Sequence, residues 1–157
     1  MASRKPDTAL IVALEQRQRL LDEAQQVLSG CLRTVTEQAQ RVAHAEARVR
    51  MVLSQIEAAQ RPAPGVPLAV AVLGDLERLL AWCEQHVRVE RERLQAVQAE
   101  ADQARGGVAT AHQGVRALQL VLEARAAERT ERLRRAEIRD ADETAARVHS
   151  RRPVSVA

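Results

Sequence analysis

Arg61-Pro62-Ala63-Pro64-Gly65-Val66-Pro67 cannot propagate a helix, because three prolines fall within six residues. On its N-terminal side Leu14, Leu21, Leu28, Val35, Val42, Val49 and Ile56 stand at strict seven-residue spacing. On its C-terminal side Leu80, Val87, Leu94, Ala101, Val108, Val115 and Leu122 do the same. A period of 3.5 residues keeps such a stripe facing a partner helix, so each ladder reads as a coiled-coil seam. One break between two ladders of equal length lets the chain be its own partner. The sequence predicts an all-α fold, a long antiparallel two-helix coiled-coil hairpin.

Working outward from the break sets the boundaries. Asp7 or Thr8, after Pro6, can cap helix one, which is expected over about 8–60. The proline-rich tip covers 61–74, with the apolar run 68–73 closing it as a short helical turn. Asp75, after Gly74, is the expected cap of helix two, over about 75–149. A single hairpin then spans 1–157. Folding back brings Ile56 to the level of Leu80, Leu28 to that of Val108 and Leu14 to that of Leu122, each pair summing to 136 within a few residues. Beside each ladder runs a weaker half-seam of Ala24, Cys31, Gln38 and Ala45 on helix one, and Cys83, Glu90, Ala104 and Ala111 on helix two. Small residues there let the helices approach closely. Gly30 falls level with Gly106 and Gly107. Two readings stand: close packing or an accidental soft spot, and a hinge halfway along the seam. Cys31 and Cys83 fall far apart in this register and are expected as reduced thiols, not a disulfide.

Composition suits long helices with a narrow apolar stripe. Of 157 residues, 46% are hydrophobic but only 1% aromatic, and 29% are charged. The net charge of +3 is unevenly spread. From Ala124 to Arg152 there are nine arginines against six acids, so nine minus six accounts for the whole excess. The second ladder stops at Leu122, yet helix-forming residues continue to about Val148. Residues 124–149 are therefore expected as a protruding C-terminal helix, a charged overhang whose Glu128–Arg132 and Glu131–Arg135 pairs have the favourable spacing of four. A lone solvated helix is only marginally stable. It calls for a partner.

Several classes of function are disfavoured. No stretch is apolar enough for a membrane span, and the charged N-terminal region does not read as a signal peptide, so a cytoplasmic chain is expected. His44, His86, His112 and His149 are dispersed, without the spacing of a metal site. Gly106-Gly107 lacks the following Lys-Ser or Lys-Thr of a phosphate loop, and no nucleophile lies near a base in a familiar pattern. No enzyme, no cofactor and no metal are expected. Two surfaces remain. The arginine-rich overhang is either a solvated helix, a dock for an acidic or loop-lined protein cavity, or a basic helix for nucleic acid; interleaved acids and missing aromatics count against the last. Leu79, Trp82 and His86 form a stripe on one flank, where Trp82 either packs on Leu68 or Val70 or offers a partner contact.

Leu122-Glu-Ala-Arg125, the charged stretch ending Ala141-Asp-Glu-Thr-Ala-Ala146, and the weaker echoes Gly30-Cys31, Glu37-Gln38 and Gln85-His86 after Leu79 resemble the FliJ/YscO family. These are central stalk proteins of type III protein export, in flagella and injectisomes. The likeness covers nearly the whole chain, although this chain lacks the family's aromatics near the tip. The resemblance implies a non-enzymatic, monomeric stalk at the cytoplasmic side of the inner-membrane export apparatus. It implies that Arg125, Arg129, Arg132, Arg135 and Arg139 meet the pore of a hexameric export ATPase. It also implies that Leu79, Trp82, Gln85 and His86 meet the export gate protein, with export chaperones as further partners and no nucleic acid. A generic coiled-coil scaffold or adaptor is the main rival, and a basic nucleic-acid-binding helix a more distant one.

Overall fold

The computed structural model describes residues 7–150, and their regular structure is all helical. Helix α1 is Thr8–Gln60 and helix α2 is Val70–Ser150. The start of α1 falls where the sequence places it, with the Ile11 amide donating to the Asp7 carbonyl at 2.9 Å. Between the helices the Val66 amide donates to the Ala63 carbonyl at 3.0 Å, around Pro64 and Gly65. Gly65 has φ of +86°, the left-handed value that the third residue of such a Pro-Gly turn requires.

The start of α2 differs from expectation. It begins at Val70, not near Asp75, and the Leu73 amide already donates to the Ala69 carbonyl at 3.1 Å. Nothing after Pro67 forbids a helix, and Gly74 inside one costs only about 0.5–1 kcal/mol. The run expected as a separate turn is thus mostly the first turn of α2. Asp75 lies within the helix and takes an ion pair from Arg78 at 2.5 Å instead of capping it.

The chain divides into two compact units. In Leu20–Ala111, α1 and α2 pack antiparallel around the 61–69 connection. Val42, Val87 and Ala101 of the ladders are buried here, and every other rung of this unit is half-buried. The half-seam is buried most deeply around Gln38, Ala45 and Val52 on α1 and Cys83 and Glu90 on α2. Ala45 and Cys83 are only 3% exposed, as small side chains at a close approach should be. Cross-helix pairs straddle the expected sum of 136, at 128 for Gln38 with Glu90 and 137 for Glu46 with Arg91. Both cysteines are free thiols.

The other unit joins the start of α1, up to Arg19, to α2 from His112 onward. Val115 is buried, and Leu14 and Leu122 are half-buried. Arg17 lies over Gly114, its Cδ 3.6 Å from where a Cβ would stand. Past Leu122 the burial changes abruptly. From Glu123 to Ser150 every residue is exposed except Glu131 and Ala136.

Candidate functional site

The arginine-rich part of α2 carries its charge in local pairs. Arg132 meets Glu128 at 3.6 Å and Arg135 meets Glu131 at 2.9 Å, the two pairs that the sequence spacing predicts. Arg134 also reaches Glu131, at 3.1 Å. Hydrogen bonds from Arg134 and then Arg135 hold the Glu131 carboxyl below its ordinary pKa, against a smaller opposing effect of burial. Arg132, Arg135, Ile138 and Arg139 line a shallow groove on this face. Arg125 and Arg129 are engaged differently. Both reach the Asp7 carboxylate at the start of α1, Arg125 at 3.4 Å and Arg129 more closely. The sequence offers Asp7 or Thr8 as the cap of α1; the Asp7 side chain bridges two arginines of the other helix.

The second candidate surface lies in the 20–111 unit. Trp82 is 56% exposed and Leu79 is 40% exposed, with Gln85 also exposed. The Trp82 ring stacks on His86, with centroids 5.6 Å apart and planes 6° from parallel. The Arg48 guanidinium lies 5.5 Å from the Trp82 centroid, a cation–π distance. Arg48 was not foreseen, since no signal in α2 reports which α1 side chain will arrive beside it.

A third feature is a polar pair inside the seam. Gln38 Nε2 donates to Glu90 Oε2 at 2.5 Å and to the Glu90 carbonyl at 3.1 Å. Arg93 approaches Glu90 Oε1 at 2.7 Å. The Gln38 hydrogen bond is the main reason that the Glu90 carboxyl titrates below the usual 4.5. Burial pushes the other way, while the charges of Arg93, His86 and Arg41 assist. Sequence reasoning placed both residues in the half-seam without joining them. The hinge candidates Gly30, Gly106 and Gly107 all lie within uninterrupted helix, and a Cβ added at any of them would meet nothing within 4 Å. Close packing therefore does not explain them.

Among the described residues no group of His, Cys, Asp and Glu could hold a metal ion, and no helix is long and apolar enough to cross a membrane. These features describe a class: an all-helical, coiled-coil protein whose distinctive groups are on exposed helix faces. The sequence matches the model of the flagellar FliJ protein family over residues 7–153, nearly its full length, and the chain belongs to that family. No match emerged among curated proteins or among solved structures. Membership implies a role related to flagellar export and association with components of the export apparatus, in keeping with a chain that is not an enzyme.

Proposed function

We propose that this chain is the non-enzymatic stalk of a type III protein export apparatus, linking a hexameric export ATPase to the export gate and stimulating or coupling the ATPase. The observation that carries the reading is the change at Leu122. There the apolar ladder ends, while α2 continues to Ser150 as an exposed helix rich in arginine. Within a family tied to flagellar export, that stretch suits a partner that is acidic or loop-lined. It acts as an overhang beyond the paired seam, and Arg125, Arg129, Arg132, Arg135 and Arg139 face the ATPase pore. Contacts of this kind are electrostatic and tolerate rotation or rocking, because exposed charge pairs are individually weak and exchange readily. Leu79, Trp82, Gln85 and His86 form the gate contact, since an exposed, stacked Trp is a typical interface anchor. The chain works as a monomer in the cytoplasm, peripheral to the inner membrane, and also escorts export chaperones.

The test is ATPase stimulation by purified full-length chain. Arg129→Glu, Arg132→Glu and Arg135→Glu together should abolish it in a chain that circular dichroism shows to be still folded. Unaltered stimulation would overturn the pore contact.

A further inference from the structure

We infer that α1 and α2 share a built-in bending point, set by Gly30 and Thr34 on one helix and by Gly106, Gly107 and Thr110 on the other. All five residues belong to the 20–111 unit. A groove lined by Leu32 and Val35 of α1 and by Gln98, Ala101, Asp102 and Arg105 of α2 puts the two glycine sites at one level. Gly30 lies two residues before Leu32, and Gly106 directly follows Arg105.

Three observations converge on this level. First, the space around all three glycines is open, so no packing need keeps a side chain out. Each one loosens its helix relative to alanine without a compensating contact. Second, Thr34 Oγ1 donates to the Gly30 carbonyl at 3.2 Å and Thr110 Oγ1 donates to the Gly106 carbonyl at 3.0 Å. A hydroxyl bonded back to the carbonyl four residues earlier competes with the backbone amide there and favours a helix bend. Thr36 adds the same bond to the Leu32 carbonyl at 3.0 Å. Thr130 and Thr144 make it too, on Ala126 and Asp140, so the hydroxyl alone singles out nothing. Its coincidence with glycines on both helices does. Third, the seam here is thin, with Cys31, Ala101 and Ala104 facing inward where a stiff coiled coil would place leucines. A bend in one helix alone would break the seam. Matched soft spots at one level let both bend together.

The test exploits the open space, because alanine fits all three sites. In the full chain, Gly30→Ala, Gly106→Ala and Gly107→Ala together should raise the unfolding midpoint by roughly 5–9 °C. Spin labels at Gln26→Cys and Arg50→Cys, in a background of Cys31→Ala and Cys83→Ala, span the α1 site. Their distance distribution should narrow in the triple variant, and motility of cells carrying it in place of the natural chain should fall. Gly74→Ala, whose surroundings are equally open, should raise stability and leave motility intact. Because the triple variant is more stable, lost motility cannot come from unfolding. An unchanged distance distribution would show that the level does not bend. That result overturns the inference; a narrowed distribution supports the bending point, and a fall in motility beside it shows that the bend is used.

Discussion

Helix α2 contains two regions with one backbone conformation and opposite sources of stability. From Leu80 to Leu122 its ladder faces α1, and each rung is buried or half-buried. From Glu123 to Ser150 nearly every residue is exposed, and the helix is supported by ion pairs three or four residues apart, such as Arg134–Glu131 and Arg147–Glu143. The first region is held by apolar area removed from water, about 0.8 kcal/mol per buried methylene. The second is held by propensity and by solvent-screened charge, terms individually too small to order a long helix firmly. Continuous helix does not mean uniform stability. The arginine-rich stretch should exchange its amides faster than the seam.

The largest test of this contrast is a charge placed in each region. Val87→Asp buries a carboxylate with no partner in the seam and should cost about 3 kcal/mol or more in urea unfolding. Leu133→Asp, at a residue 66% exposed, should stay within about 0.5 kcal/mol. Equal effects would mean that the two regions are not energetically distinct.

A smaller effect comes from the polar pair in the seam. Gln38→Ala leaves the Glu90 carboxylate without its main donor and should lower the midpoint by on the order of 5 °C at neutral pH. The pH dependence follows from the direction of the shift. The Glu90 carboxyl titrates lower folded than unfolded, so its contribution is fully present above the unfolded value and is lost as pH falls through the folded one. Acid should therefore weaken the natural chain progressively below about pH 4.5. Gln38→Ala should show a shallower acid response, since the principal cause of the shift is gone. An unchanged acid profile would place the linkage elsewhere.

The smallest effect belongs to the exposed stretch. Glu143→Gln removes the ion pair to Arg147, yet it should move the global midpoint by no more than ~1 °C, because such pairs are screened. Salt near 1 M should lower far-ultraviolet helicity slightly in the same direction, and amide exchange should locate the loss between 123 and 150.

Much of this architecture is written in the sequence, because a heptad is a property of spacing. All fourteen rungs that the spacing selects avoid full exposure, and the seam stops at Leu122 as the pattern does. The sequence pattern sets the onset of α2 too late, because Gly74-Asp75 has the look of a helix start, whereas Val70–Leu73 needs only freedom from proline. Pairings across helices were legible only within a few residues. Asp7 with Arg129, Arg48 with Trp82 and Gln38 with Glu90 each depend on long side chains reaching along the seam. The two candidate surfaces are visible as residue types on helix faces, but Arg48, which sits over the Trp82 ring, belongs to the other helix and leaves no mark in the local pattern.

The Gln38–Glu90 pair has a consequence that concerns information more than strength. A ladder that repeats every seven residues is a ruler with identical graduations, and sliding one helix by a heptad leaves its apolar rungs almost equally matched. Such a slide would bring Cys31 or Ala45 to the place of Gln38 and strand the buried Glu90 carboxylate opposite a side chain with no amide to offer. Nowhere else in the seam among the described residues are two buried polar side chains matched to each other. They mark the zero of the ruler, and every other distance along the two helices is counted from them.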